Sequence, residues 1–277
     1  MPTRVPDGLT LCSAFDSQSA EQYGDGAVMA IWGDRSLPDP WAGPLVGLSA
    51  SDVHDELPVH DRAEPVMVQG LAGYVAPMPL FQAVSSEEWG HVVSWRDIAG
   101  RVIEAAVRGA DAAGALRIAD VVTVTSGKAA LPTDALGPQT ARIYDRTPIA
   151  PFGALDGTTW GLFYRSGGFP ETAGEPARLL TLGGLARTAA DLQPLRFSAL
   201  TTEPTTVRGR PGLLYAAFDE STGPFGVVWE ESPGLVAQVV GLGLDRAAVI
   251  AAAESLEPVD DQAWQALQGD AKGDDCR

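Results

Sequence analysis

Apolar and polar positions along this chain fall into short β-prone runs, and twice a set of such runs is closed by an apolar helix pattern. The clearest example is GVVWEESPGLVAQVVGLGLDRAAVIAAAESL, residues 226–256. GVVW and GLVAQVVGLG read as strands on either side of a polar turn that ends at Gly234. Asp245 then stands directly before RAAVIAAAESL, where its carboxylate is placed to accept a backbone N–H at a helix N-terminus. The stretch GHVVSWRDIAGRVIEAAVRGADAAGALRIADVV, residues 90–122, repeats the pattern. Trp95 falls on Trp229, Gly100 on Gly234, Asp111 on Asp245, Ala119 on Ala253 and Asp120 on Glu254, all at one offset of 134 residues.

The correspondence continues upstream in the same order. VMVQGLAGYV (66–75) lies over TTVRGRPGLL (205–214), pairing Gly70 with Gly209 and Gly73 with Gly212, and PDGLTLCSAFDS (6–17) lies over LDGTTWGLFYRS (155–166). AVMAIW (27–32) and ARLLTL (177–182) read as second strands, and DDQAWQAL after Pro258 reads as a further short helix. Strands first and helix last predict an α+β fold of two tandem homologous units, each a curved antiparallel β-sheet followed by a packing α-helix. The expected division is a first unit over 1–135, a Pro-, Gly- and Thr-rich linker over 136–155, a second unit over 156–270 and a polar tail over 271–277. Trp95, Gly100, Asp111, Trp229, Gly234 and Asp245 are the expected structural anchors.

Composition narrows the functional classes. A net charge of −17 and a pI near 4.4 oppose binding to nucleic acid or to an anionic lipid surface, both of which need clustered basic residues. Of 19 basic residues only Lys128 and Lys272 are lysines, and there is no asparagine, a bias that fits a high-GC actinobacterial genome. No apolar run of membrane-spanning length occurs, and MPTRVPDGLT lacks the charged-then-apolar order of a signal peptide. Membrane attachment is therefore expected only through an upstream anchor outside this sequence. The two cysteines, Cys12 and Cys276, are the candidate disulfide. Such a bond across so long a loop contributes about 3–5 kcal/mol by closure entropy and implies an oxidising compartment. Two unrelated thiols are the other reading.

The ending W-E-E-x-x-G-L-V-A-Q-V-V-G-L-G-L-D-R-x-x-V-I-x-x-A-E-S-L resembles extracytoplasmic domains of Gram-positive and actinobacterial regulators, including membrane-anchored anti-sigma factors and related lipoproteins. Trp229, Gly234, Gly241, Asp245, Ala253, Glu254, Ser255 and Leu256 carry the likeness. The resemblance implies an extracytoplasmic location and an α+β class, and names no activity. The first half departs from it at Ala119-Asp120-Val121-Val122.

Candidate chemistry is sparse. SDVHDELPVHD (51–61) gathers His54 and His60 among Asp52, Asp55, Glu56 and Asp61, the N and O donors a divalent metal would take. Its spacing follows no established metal motif, and a solvated loop is the simpler reading. His91 in GHVVSW reads as a structural strand histidine. No nucleophile elbow, phosphate loop, dinucleotide fingerprint or zincin pattern is present, so no catalytic residue, metal or cofactor is assigned. Trp41, in the Pro-rich LPDPWAGPL, is the candidate binding aromatic, with His54 and His60 as further ligand-binding candidates. The expected function is a non-enzymatic extracytoplasmic binding or sensing module of a cell-envelope regulator or lipoprotein, with a protein or small ligand as partner. A cytoplasmic structural or interaction protein, of a secretion or phage-like assembly, is the alternative, and a metal-dependent hydrolase using the His54–Asp61 loop a further one. The places where the two halves differ, residues 35–62, Trp41 and the seam between the units, are where function is expected.

Overall fold

The computed structural model describes residues 1–16, 30–51, 57, 62–78, 90–144, 158–166, 178–199, 201–216 and 224–271. Nearly half of them lie in two seven-stranded antiparallel sheets with few helices, an α+β arrangement. The chain divides into two compact units, one of Met1–Gly24 with Ile149–Arg277 and the other of Asp25–Pro148.

In the continuous unit the strands are β2 (Ala30–Asp34), β3 (Leu45–Ser51), β4 (Glu64–Val68), β5 (Leu71–Pro77), β6 (Gly90–Arg96), β7 (Val102–Arg108) and β10 (Thr140–Tyr144). Their spatial order is β10-β2-β3-β7-β6-β5-β4. Helix α1 (Ala112–Val121) packs on β5–β7, and the small hairpin β8 (Thr123–Thr125) and β9 (Lys128–Ala130) follows it. In the split unit the strands are β1 (Thr10–Asp16), β11 (Thr158–Ser166), β12 (Arg178–Leu185), β13 (Thr201–Val207), β14 (Arg210–Ala216), β15 (Phe225–Ser232) and β16 (Leu235–Leu242), in the order β1-β11-β12-β16-β15-β14-β13. Helix α3 (Arg246–Glu254) packs on β15 and β16, and α4 (Asp261–Asp270) packs on β1.

The two sheets thus have one order of strands, and the anchors sit alike in both. Trp95 and Trp229 are fully buried beneath α1 and α3. Each stands opposite a glycine in the neighbouring strand, Gly73 and Gly212. A Cβ on either glycine would come within 2.6 Å of a backbone oxygen, of Ser94 or Val228, so the close pairing of strands excludes any side chain. Asp111 and Asp245 cap their helices by accepting from Gly114 N and Ala248 N, both at 2.7 Å. The hairpins β4–β5 and β13–β14 turn through Gln69-Gly70 and Arg208-Gly209, with φ of 53°, 78°, 52° and 75°. Two successive positive φ angles across a two-residue loop are the geometry that matches strand twist.

One sequence expectation changes, and two features are added to it. Residues 1–24 belong with 149–277, so the first unit does not run over 1–135 and the exchange points do not coincide with a single linker over 136–155. The cause is the pairing of β1 with β11, Leu11 opposite Tyr164 and Ala14 opposite Leu162. TLCSAF and TWGLFY therefore lie side by side in one sheet, and β10 holds in the other sheet the place that β1 holds here. Strand β3, LVGLSAS, adds to the set expected from pattern: its first five residues are buried, and a strand covered on both faces shows no apolar–polar alternation. Finally, the split unit has a second apolar layer, formed where a 3-10 turn (Ala189–Leu192) and the short α2 (Leu195–Ser198) cover Leu213, Tyr215, Val228 and Val236 on the face away from α3. Within that layer Gln238 donates to the Tyr215 hydroxyl, which satisfies two buried polar groups.

Cys12, on β1, is buried and disulfide-bonded, and no cysteine among the described residues is free. Cys276, the chain's other cysteine, lies outside the described residues.

Candidate functional site

The split unit contains a cavity of about 400 Å³, and its construction begins at the end of α3. Pro258 cannot continue a helix, so the chain turns through Leu256–Val259 before Asp260 caps α4 by accepting from Ala263 N at 2.8 Å. Packing of α4 on β1 brings Trp264 to Trp160 of β11. The two indoles meet edge to face, with ring centroids 6.4 Å apart and planes at 79°. Trp160 itself lies over Gly184 of β12, where a Cβ would fall 2.1 Å from Trp160 Nε1. Any larger residue at 184 would displace that wall.

Trp160 and Trp264 form two walls, and Leu235, Ala237 and Leu256 line the apolar floor. Trp229 closes the back with none of its own surface accessible. Its Nε1 donates to Glu231 Oε2 at 2.7 Å, and Glu231 Oε1 accepts from Arg208 Nη1 at 2.8 Å. The Met1 amino group, Arg208, Glu231, Glu257 and Asp261 supply the cavity's charged groups. The Met1 amino group donates to the Glu257 carbonyl oxygen; burial lowers its pKa, nearby Arg208 adds to the fall, and the Glu257 charge opposes it.

The Ser255-Leu256 end of α3 has a local role here. Thr3 N donates to Ser255 O at 3.0 Å and Arg4 N to Ser255 Oγ at 3.1 Å, while Pro2 bridges Leu256, so this end holds the first residues of the chain beside the cavity. In the continuous unit the residue matching Arg208 is Gln69. Its Nε2 donates to Ala119 O at 3.1 Å and Val122 O at 2.7 Å, closing over the end of α1. The residue matching Glu231 is Asp97, which turns into its own hairpin and accepts from Ala99 N, Arg101 N and Arg101 Nε. Burial pushes the Asp97 carboxyl up, but those hydrogen bonds and the Arg101 charge outweigh it and hold its pKa below the ordinary carboxylate value. An arginine in place of glutamine, a glutamate in place of aspartate and a helix in place of a hairpin thus separate the two settings.

No protein-family model, curated protein or solved structure matches this chain.

The candidates read from sequence are distributed differently. Trp41 is half-buried in the continuous unit: its N–H donates to Asp39 Oδ1 at 3.0 Å and its ring meets Tyr144 of β10 at 6.5 Å. It anchors a loop on an edge strand. His54 and His60 lie outside the described residues, as does the rest of the 51–61 stretch apart from Ser51 and Leu57. His91 is buried, with Nδ1 2.9 Å from Ala110 O just before the cap of α1. Among the described residues no group of three or more His, Cys, Asp and Glu could hold a metal ion. Sequence reasoning misses Trp160, Arg208, Glu231 and Trp264. Their signal lies in the mismatches between the halves: Gln69 against Arg208, Asp97 against Glu231, and DDQAWQAL with no counterpart after α1.

Proposed function

We propose that this chain is a non-enzymatic binding or sensing module that works outside the cytoplasm, as part of a cell-envelope regulator or lipoprotein, and that its ligand seat is the cavity beneath α4. The observation that carries the reading is the cavity itself: a concave, largely apolar space with a few fixed polar groups is the usual form of a small-ligand site. Two features support the setting. Cys12 is disulfide-bonded, which fits an oxidising compartment better than the cytoplasm. The strand-to-helix ending resembles ectodomains of envelope regulators.

The two units arose, in this reading, by duplication of one α+β unit. The common strand order, the paired glycine–tryptophan contacts and the paired positive-φ hairpins support that origin. Duplication frees one copy to diverge, and the divergence lies at the end of α3, where the cavity is.

A thermal-shift screen with a chemically mixed fragment library tests the assignment. Compounds should raise the melting temperature of the wild-type protein, and Trp160→Ala and Trp264→Ala should abolish the effect while Trp41→Ala keeps it. Stabilisation that survives Trp264→Ala, or a library that stabilises nothing, would remove the cavity as the ligand seat.

A further inference from the structure

Resting on that reading, we infer that the cavity takes a small organic cation, an alkylated or quaternary ammonium group on an apolar body, in preference to a neutral or anionic ligand. Three observations converge. First, Trp160 and Trp264 stand nearly perpendicular at 79°, so two indoles wall one corner of the space. Indole is the aromatic side chain that attracts cations most strongly, through the negative potential of its face. Second, the charged groups of the cavity are three carboxylates, Glu231, Glu257 and Asp261, against Arg208 and the Met1 amino group. Third, the arginine is committed. Its guanidinium is paired through Nη1 with Glu231 at 2.8 Å.

An anion drawn to Arg208 Nη1 would compete with Glu231 for that donor, whereas Glu231 Oε2 stays on the Trp229 N–H. A cation leaves the Arg208–Glu231 pair intact. Among the described residues none makes a hydrogen bond or an ion pair to the Asp261 carboxylate, and the apolar body of the ligand would replace water over Leu235, Ala237 and Leu256. The net charge of −17 acts in the same direction at long range, concentrating cations around the whole molecule.

Three matched probes separate this inference from the site assignment on which it rests. Benzyltrimethylammonium, its uncharged carbon isostere neopentylbenzene, and phenylacetate would be titrated into the full chain, with binding read by calorimetry and tryptophan fluorescence. The expected result is at least about tenfold tighter binding of the ammonium than of the isostere, and weakest binding of phenylacetate. The double variant Glu257→Gln/Asp261→Asn, checked for fold by circular dichroism, should lose most of that preference while binding the isostere as before, and high salt should narrow the preference. If the isostere binds as tightly as the ammonium, or phenylacetate binds more tightly, the cation assignment falls and the cavity remains a binding site. If none of the three binds in a manner that Trp264→Leu removes, the cavity assignment falls with it.

Discussion

Gly73 and Gly212 show how much of this fold is written in single residues. Each lies where one strand passes so close to the next that a methyl group would collide with a carbonyl oxygen, and each faces a tryptophan that fills the core under a helix. Gly73→Ala and Gly212→Ala should each destabilise the protein by about 1–3 kcal/mol, through strand displacement and repacking. Urea unfolding followed separately by near- and far-ultraviolet circular dichroism measures both. Equal stability to wild type would mean that the sheet relaxes around the added methyl. These glycines, with Trp95, Trp229, Asp111 and Asp245, are legible in the sequence because their roles are local: a close approach, a core filler, a cap. Arg208 is not legible. An arginine in a hairpin turn is ordinary, and only its reach to Glu231, 23 residues away, makes it part of a site.

At the scale of elements, short β-prone runs identify strands but not their partners. TLCSAF and TWGLFY look alike because both are apolar runs after an Asp-Gly turn, and that likeness says nothing about whether they occupy equivalent places or adjacent ones. They are adjacent. Long-range pairing depends on the path of the whole chain, which local pattern does not record. Strand β1 then becomes an element with a specific liability: it reaches its sheet from the far end of the sequence, packs against α4, and carries Cys12. With Cys276 as the only other cysteine, the pairing expected from sequence would fasten this strand to the chain's end just past α4. Reduction should lower the melting temperature, and Cys12→Ala/Cys276→Ala should reproduce the loss without a further effect of reductant. Non-reducing peptide mapping should recover the two cysteines in one linked fragment; separate, alkylated peptides would refute the pairing.

The whole molecule is a chain that enters one unit, leaves it for the other and returns, which is why a cut at the linker read from sequence would divide the wrong pieces. Fragment 25–148 contains all seven strands of its sheet and should fold alone. Fragment 149–277 lacks β1, and should give a dispersed amide spectrum only when a peptide spanning residues 1–24 is added. Independent folding of 149–277 would show that β1 is an accessory to this sheet rather than part of its cooperative unit. The same scale separates the legible from the illegible in function. The cavity forms from strands, a helix and the first residues of the chain, and no local window contains it. Selective nitrogen-15 labelling of the seven tryptophans is decisive for that cavity, since their indole N–H signals report by location. On titration with a stabilising fragment, the signals of Trp160, Trp229 and Trp264 should shift while those of Trp41 and Trp95 stay fixed. Shifts centred on Trp41 or Trp95, with the cavity indoles unmoved, would place the ligand elsewhere and overturn the assignment.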